Sequence, residues 1–256
     1  MRNRYVKIII NADDLGGSIA VNRAIFHAIS KKRITSATMM ANGDAFEDAV
    51  ENAVKIPDCS FGIHLNISSN APVSNHPGLE PLIGSNGKMK NIIWNSSIDS
   101  DLKNAIYFEW CAQIEKIRTA GIKISHIDSH HHVHTIPKLF PVLKAVQKDK
   151  QIRKVRLTKN LYSNREKVIC LKKLLKHIWN FGLKNYYLTR TTDCFTEFVT
   201  FPEIAKENKV RFGKVELMIH LSESPSDEFI AENDSVKMDW ISNLPFEVML
   251  INYNDL

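Results

Sequence analysis

Strand-like and helix-like segments alternate along this chain some seven or eight times, and no strong linker separates them. Short apolar runs such as Tyr5–Ile10 and Val215–Leu221 predict buried strands, while the intervening segments have helical periodicity. Alternation of this kind is typical of a parallel sheet covered by helices. The length of 256 residues favours a (β/α) barrel over an open doubly wound sheet. We therefore predict an α/β fold, a distorted TIM-like (β/α) barrel, with residues 1–256 in a single domain.

Capping residues and chain breakers indicate where the predicted elements begin and end. Ser18 can cap a helix that runs to about Lys32. The segment Asp44–Glu47 resembles a capping box that opens a second helix, which stops before Pro57. Further strands are predicted at 36–41, 61–67, 123–130, 154–158, 191–195 and 248–253, and further helices at 101–119, 137–148, 165–180 and 202–208.

Residues 69–99 differ from the rest of the chain. They are rich in proline and glycine and show little periodicity. A segment of this length without regular structure is more often a functional loop than a plain linker. We predict a long lid or substrate-binding loop.

Composition excludes several classes of protein. The formal net charge is +6, and its basic residues concentrate in 148–176 without interleaved aromatics, which favours a solvated helix face over a nucleic-acid site. The four cysteines are far apart and form no CxxC pair, which argues against a zinc ribbon or a disulfide framework and suits a reducing compartment. No apolar run approaches the ~18 residues of a membrane span. We expect a cytoplasmic protein with no nucleic-acid partner and no membrane span.

Five of the chain's 10 histidines lie within residues 126–134. If this stretch is extended, alternate side chains share a face, so Asp128, His130, His132 and His134 would point the same way. Imidazoles beside a carboxylate suit a transition-metal or acid–base site. A solvated polar loop or a purification tag is the alternative, although Pro137 and an apolar helix pattern follow the stretch, unlike a terminal tag.

Other polar residues fall at comparable places on the predicted strands. Asp13 and Asp14 follow the first strand, His64 lies in the third, and His220 ends a late one. The carboxyl ends of barrel strands share one rim, so these side chains are expected to converge with His130. Each of them alone is as compatible with turn chemistry or a structural histidine.

The chemistry of such a set is metal-assisted hydrolysis of an amide or ester. One carboxylate and two imidazoles leave a coordination position for water, and zinc lowers the pKa of that water from about 15.7 toward about 7. A second carboxylate can take the proton of the water, and a further histidine can protonate a leaving amine.

Five segments, in order and in spacing, resemble the YdjC-like carbohydrate deacetylases, a family that includes chitooligosaccharide deacetylases and hopanoid-associated relatives. They are Asn-Ala-Asp-Asp-Leu-Gly at 11–16, Thr-Ser-Ala-Thr-Met-Met-Ala-Asn-Gly at 35–43, Phe-Gly-Ile-His-Leu at 61–65, Ser-His-Ile-Asp-Ser-His-His-His-Val-His at 125–134 and Glu-Leu-Met-Ile-His at 216–220. The ending at 248–256 also resembles the last strand of the family. The resemblance covers essentially the whole chain and implies a distorted (β/α) barrel that removes N-acetyl groups from amino sugars with a divalent metal.

The resemblance also implies roles for individual residues. Asp14, His64 and His130 correspond to the metal ligands, Asp13 to the general base and His220 to the general acid. The division between Asp13 and Asp14 follows an analogy with another group of metal-dependent polysaccharide deacetylases, and the reverse assignment stays open.

Substrate contacts are expected from three more residues, His132, His134 and Arg156, while Asp128 would orient a histidine. Arg156 is equally compatible with an ordinary charge at the end of a strand. The family often continues its last histidine as His-Pro-Gly, where this chain has His220-Leu-Ser and then a short acidic segment. We expect residues 69–99 and 221–236 to determine specificity.

The implied partners are one divalent metal ion and an N-acetylated sugar or oligosaccharide. Imidazole ligands favour zinc, cobalt, manganese or nickel over magnesium, whereas the resemblance implies magnesium as well. Two other functions are compatible with the same residues: an isomerase or other metallohydrolase, and a non-catalytic metal- or sugar-binding barrel. The sequence also leaves a homodimer open.

Overall fold

The centre of the fold is a seven-stranded parallel sheet. The computed structural model describes residues 5–207, 209–210, 213–222, 230–231, 241 and 244–256. Its strands are β1 (Tyr5–Leu15), β2 (Ser36–Met39), β3 (Ser60–Leu65), β4 (Ile127–Ser129), β5 (Cys194–Glu197), β6 (Lys214–Ile219), β7 (Leu221–Ser222), β8 (Ile230–Ala231) and β9 (Glu247–Leu250). The order in the sheet is β4-β3-β2-β1-β6-β5, with β9 also paired to β1, and all of these pairs are parallel. β7 and β8 form a separate antiparallel pair.

Isolated bridges continue the sheet from β4 toward β5. Val155 pairs in parallel with Ile127 of β4, and Lys154 pairs with Arg190, just before β5. Residues 154–158, predicted as a strand, therefore contribute single bridges. These contacts bring the two ends of the sheet toward each other, and the predicted α/β class and distorted barrel are confirmed.

Six α-helices lie between the strands of the described chain: α1 (Ile19–Ser30), α2 (Phe46–Ala53), α3 (Ser100–Thr119), α4 (Phe140–Lys150), α5 (Cys170–Asn185) and α6 (Phe201–Lys206). Ser18 caps α1 as predicted, since its hydroxyl accepts a hydrogen bond from the backbone of Val21. The capping box predicted at Asp44 does not form. The residue that precedes α2 is Ala45, without a side-chain cap, and Asp44 instead lies 3.4 Å from Lys88 Nζ. None of the helices in the described ranges is both long enough and apolar enough to cross a membrane.

The apolar side chains of β1 are buried on both faces of the strand. Ile8 and Ile10 belong to the main core, whereas Ile9 packs with Ile251 and Tyr253 in a second, smaller cluster. Successive side chains of a strand point to opposite faces, which explains this division. A central strand of this kind holds its carboxyl end rigidly, and Asp13 and Asp14 lie in that end.

The segment 69–99 has only short 3₁₀ helices, at Pro77–Leu82 and Ile93–Asn95, as its lack of periodicity predicts. Its first part is attached to α3. Glu109, which is fully buried, accepts hydrogen bonds from the backbone of Val73 (2.9 Å) and Ser74 (2.7 Å). Removing Glu109 would leave two backbone donors without their acceptor, so this contact fixes where the loop leaves the barrel.

Candidate metal centre

β1 extends through the polar segment that was predicted to be a turn. The pairing register with β2 shifts between Ala12 and Leu15, and Asp14 has φ 66°. An irregularity of this kind is a β-bulge, which redirects neighbouring side chains. The bulge gives the two aspartates different surroundings: the side chain of Asp13 is 2% exposed and that of Asp14 is 24% exposed.

The carboxylate of Asp14 meets two histidines from other strands. Its Oδ1 lies 3.0 Å from His64 Nε2 and 2.9 Å from His130 Nδ1. His64 belongs to β3, and His130 follows the last residue of β4. Potential ligand atoms of the three residues lie within 4.8 Å of one another. The carboxyl ends of β1, β3 and β4 thus converge on an Asp-His-His set.

The surroundings of His64 fit a metal ligand. Its Nδ1 lies 2.7 Å from Asp128 Oδ1, and Asp128 also accepts from the hydroxyl of Thr38 at 2.9 Å. The buried Nε2 makes no hydrogen bond within the described residues, because its contact with Asp14 lacks hydrogen-bond geometry. A carboxylate that holds one ring nitrogen and leaves the other free is the usual support of a metal-binding histidine. Asp14, His64 and His130 could therefore hold a divalent cation.

Charge controls the protonation of this set. Burial lowers the pKa of His64, but the nearby carboxylates, Asp128 foremost, raise it to about 10. Burial raises the pKa of Asp14, but the hydrogen bond with His130 and the close contact with the ring of His64 outweigh that effect and bring it well below its usual range. In the metal-free protein His64 is thus an imidazolium at neutral pH, and a metal must displace the proton on Nε2.

Arg156 lies in the protein interior, between three carboxylates. Its guanidinium binds Asp13 through two nitrogens (2.6 and 2.7 Å), Asp128 at 2.8 Å and Glu216 at 2.6 Å. The other carboxylate oxygen of Glu216 accepts from the hydroxyl of Tyr253. The side chain of Arg156 has no exposed surface, so it does not reach substrate. This burial corrects the expectation that Arg156 holds substrate. The guanidinium instead holds the carboxylates that lie beneath the site.

Burial and the guanidinium of Arg156 act in opposite directions on the pKa values of the neighbouring carboxylates. Burial raises the pKa of Asp13, but the charge and hydrogen bonds of Arg156, together with the charge of His64, outweigh that effect and hold the pKa below its usual range, so the carboxylate stays ionised. For Glu216 burial is the stronger effect and raises the pKa to about 7. Asp13, His64 and Asp128 also come within coordinating distance of one another. Because Arg156 already binds both carboxylates of that second set, a metal ion there would meet a fixed positive charge.

The histidine stretch is not an extended strand. β4 ends at Ser129, and residues His130–Thr135 form a 3₁₀ turn in which His131 (φ 50°) and His132 (φ 54°) have left-handed backbone conformations. The predicted common face of alternate side chains does not exist, because these conformations rotate the side chains apart. Left-handed backbone is costly for most residues other than glycine, and strained positions of this kind cluster at functional sites.

His134 turns into the core. Its ring nitrogens lie 2.5 Å from the hydroxyl of Ser129 and 3.3 Å from the backbone oxygen of Arg156, and it has no exposed surface. Both nitrogens have protein partners, so neither is left for a sugar. This position corrects the expectation that His134 binds substrate; it ties the 3₁₀ turn to the strand-like segment at Arg156.

A cleft of about 380 Å³ adjoins the candidate metal centre. His131 lies at its near end, with its ring centroid 3.9 Å from that of His130. The ring of His132 packs edge-on against Phe195, and burial lowers its pKa to about 3, so it is neutral at physiological pH. The cleft is lined by Trp94, His131, His132, Thr135, Pro137, Thr158, Lys159, Lys172, Leu175, Lys176, Trp179, Phe195 and Glu197.

His220 reaches the site from the end of β6. Its Nε2 lies 3.7 Å from Asp14 Oδ2, and 27% of its side chain is exposed. The structure therefore brings His220 to the same carboxylate as His64 and His130. The acidic residues that follow Ser222, which were expected to shape specificity within 221–236, lie outside the described residues.

Sequence reasoning missed Glu216, Tyr253, Thr38 and His126, all of which are buried beneath the site. Glu216 carried a usable signal, since a carboxylate in an apolar strand such as β6 needs a buried partner. Tyr253 and Thr38 gave no such signal, because tyrosine and threonine are ordinary residues of a strand region.

The imidazole of His126 is buried and stacked on the ring of Tyr253, with centroids 3.4 Å apart. Its Nε2 has no hydrogen-bond partner in the described chain, and Gly62 leaves room for the ring, since a Cβ there would lie 2.4 Å from His126 Cε1. Burial lowers the pKa of His126 well below its usual value. The folded protein therefore keeps this ring neutral.

This neutral ring predicts a dependence of stability on pH. Below about pH 6.5 the unfolded chain binds a proton at His126 that the folded protein does not. The free energy of unfolding therefore falls by up to about 1.4 kcal/mol for each unit by which the pH is lowered, from this group alone. We expect His126→Phe, which keeps an aromatic ring on Tyr253, to lose less stability than the wild type between pH 6.5 and 5. Urea unfolding of both proteins at several pH values tests this. Parallel pH profiles would contradict a neutral buried imidazole.

Comparison with known proteins identifies the family of this chain. The profile of the family described as YdjC-like protein matches residues 7–244. The chain belongs to the YdjC-like family. It is 35% identical over 151 residues to a carbohydrate deacetylase of Vibrio parahaemolyticus, or 57% of each chain, and 39% identical over 140 residues to one of Listeria monocytogenes, or 54% of this chain and 55% of that one.

The matched region spans little more than half the length of these curated relatives. The solved structure of an Enterococcus faecalis protein, named a candidate cellobiose-phosphate cleavage protein, covers 98% of each chain with a TM-score of 0.71 and 24% identity. At that identity the likeness concerns the fold alone.

Proposed function

We propose that this YdjC-like protein is a metal-dependent carbohydrate N-deacetylase, which hydrolyses the N-acetyl group of an amino sugar or oligosaccharide. The observation that carries the proposal is the Asp14–His64–His130 set, with the buried His64 Nε2 unbonded and facing the carboxylate. The relatives named carbohydrate deacetylase support the bond that is cleaved.

In this mechanism Asp14, His64 and His130 hold the metal, and Asp13 takes the proton of the attacking water. A bound divalent cation supplies Lewis acidity, which polarises the acetyl carbonyl and makes water easier to deprotonate. Oδ1 of Asp13 accepts from Asn11 (2.9 Å) and Arg156, whereas Oδ2 accepts from Arg156 alone among the described residues. A lone pair on Oδ2 is thus left for the proton. The low pKa of Asp13 keeps the carboxylate ionised at neutral pH, and it also makes this carboxylate a weaker base than an ordinary aspartate.

His220 is proposed as the general acid. As the water oxygen bonds to the acetyl carbon, the C–N bond breaks, and a proton from His220 converts the leaving nitrogen into a free amine. The partial exposure of its side chain lets the ring regain that proton from solvent. The products are acetate and the deacetylated sugar.

The cleft beside His131 is the proposed sugar site. Trp94, which is nearly half exposed, donates its indole N–H to the backbone oxygen of His131, and a flat apolar surface of this kind suits the face of a sugar ring. Of the sequence-predicted substrate contacts, His132 keeps this role. Trp94 comes from the segment 69–99, which supports the proposal that this segment is a substrate loop.

Acetate release from a panel of N-acetylated oligosaccharides tests the proposed function. The protein would be stripped with a chelator and then supplied with zinc, magnesium, manganese or cobalt. We expect acetate and new amine in equal amounts only after metal is returned, with zinc or magnesium the most effective. A metal-loaded, folded protein that releases no acetate from any sugar would contradict the proposal and favour a binding protein.

The Asp13→Asn variant separates the base from the ligands. The amide keeps the shape of the side chain but has no basic oxygen, so we expect metal binding to persist and turnover to fall by about 10²–10⁴-fold. Metal content by elemental analysis and acetate release would be measured on the same sample. Near-normal turnover would remove Asp13 as the base, and loss of metal would point to the reverse assignment of Asp13 and Asp14.

We also propose that the protein works in a reducing compartment such as the cytoplasm. All four cysteines are free of disulfides, and Cys59 and Cys111 are buried. Burial raises the pKa of the Cys59 thiol to about 12, so it is protected from oxidation.

A further inference from the structure

Helix α5 exposes an apolar face to solvent. In and beside this helix, eight large apolar side chains are at least 55% exposed, whereas no other large apolar side chain in the described residues exceeds 53%. The eight are Ile169, Leu171, Leu174, Leu175, Ile178, Phe181, Tyr186 and Leu188. Scattered exposed apolar residues are normal, but a contiguous group marks a surface that binds something.

The helical spacing places five of these side chains on one face, which we call the α5 stripe: Leu171, Leu174, Leu175, Ile178 and Phe181. The buried residues of α5 are Trp179, Asn180 and Leu183, on the opposite side of the helix. The helix is therefore attached to the barrel by a narrow face, and its more apolar face points away from the protein. Surface helices of soluble proteins normally have the reverse arrangement.

Positive charge surrounds the α5 stripe. Residues 167–192 contain five lysines and one arginine and no acidic residue. On one side Lys173 and Lys184 line a groove of about 770 Å³ together with Leu174 and Phe181 of the stripe. On the other side Lys172 lines the cleft together with Leu175. Basic and apolar side chains thus lie on both sides of the helix, and the acidic residues of the two linings are Asp193 in the groove and Glu197 in the cleft.

We propose that α5 docks on an anionic lipid bilayer. The α5 stripe would enter the boundary between headgroups and acyl chains, and the flanking lysines would extend to the lipid phosphates. A second copy of the chain is the weaker choice of partner, because pairing two such faces would bring like charges together. The helix has 16 residues and four lysines, so it lies on the bilayer.

Docking in this orientation has a consequence for the cleft. Leu175 belongs both to the α5 stripe and to the cleft wall, and His131 and His132 line the same cleft. The mouth of the cleft would therefore lie at the surface of the bilayer, next to the headgroups. The docking itself does not depend on the proposed deacetylase activity.

Co-sedimentation of the full chain with lipid vesicles tests the proposal. We expect binding to vesicles that contain phosphatidylglycerol, much weaker binding to pure phosphatidylcholine, and a decrease in binding as salt is raised. The variant Leu174→Gln/Ile178→Gln/Phe181→Gln should bind anionic vesicles at least about tenfold more weakly. Val54→Gln is the matched control, because Val54 is 53% exposed but lies far from α5 in the sequence, after α2, and it should bind as the wild type does.

Three outcomes would overturn the proposal. They are failure of the wild type to bind anionic vesicles, equal binding by the stripe variant, and a dimer of the wild type that the stripe variant loses while vesicles are not bound. The last would assign the α5 stripe to a second copy. Circular dichroism of each variant ensures that only folded proteins are compared, and a Lys173→Gln/Lys184→Gln variant, with the stripe intact, should lose the preference for phosphatidylglycerol.

Discussion

The His64→Ala variant is expected to lose its divalent metal and to release acetate at least about a thousandfold more slowly than the wild type. His64 supplies the buried Nε2, which makes no hydrogen bond within the described residues, and Asp128 already orients its ring. Without this ligand only Asp14 and His130 remain, and a site with two protein ligands holds a catalytic metal poorly. Metal content after dialysis and initial rates of acetate release would be measured together.

Two further variants make this result specific. Asp14→Asn keeps the shape of the side chain and creates no cavity, yet it removes the ligand charge, so it should also lose metal and activity. His27→Ala removes a histidine in the last turn of α1 that is not one of the metal-site residues, so it should leave both metal content and activity unchanged. Normal metal content in His64→Ala and Asp14→Asn would refute the ligand assignment.

The largest effect on stability is expected from Arg156→Met, which should lower the free energy of unfolding by about 3–5 kcal/mol. The guanidinium is fully buried and binds Asp13, Asp128 and Glu216. Its removal leaves buried carboxylates without a counter-charge, which costs more than the loss of one hydrogen bond. Chemical denaturation at neutral pH would measure the change.

Glu216→Gln provides the matched control. With a pKa of about 7, Glu216 gives up its charge more easily than Asp13 does, and a glutamine oxygen can still accept from Arg156 Nε. We expect a loss of only about 0.5–1.5 kcal/mol. If Arg156→Met does not fold, Glu216→Gln still tests the network, because a loss as large as 3 kcal/mol in that variant would contradict the lower cost assigned to its charge. A folded Arg156→Met protein of wild-type stability would contradict the network as a whole.

The alternation of strands and helices predicted the barrel, and the positions of Asp14, His64 and His130 at strand ends predicted their convergence. Both inferences rest on the local periodicity of apolar residues, which can be read from the sequence, and on the rule that the carboxyl ends of parallel barrel strands share one rim. The helix start at Ser18 was predictable for the same reason, since a cap is a local interaction.

The sequence could not predict the details that depend on backbone conformation and on distant partners. The bulge at Asp14 and the left-handed turn at His131 and His132 involve residues that seldom take such conformations, so no local rule anticipates them. Arg156 and His134 have polar side chains that are usual at a surface. Their burial follows from partners far along the chain, such as Asp13 for Arg156, which is 143 positions away.

The most direct test of the central claim is a crystal structure of the zinc-loaded protein with anomalous data at the zinc edge. The account predicts one strong peak at about 2.0–2.2 Å from a carboxylate oxygen of Asp14 and from one ring nitrogen each of His64 and His130. Asp13 should remain bound to Arg156 beside it. A peak between Asp13 and Asp128, or none near His64 in crystals that contain stoichiometric zinc, would contradict the proposed metal centre.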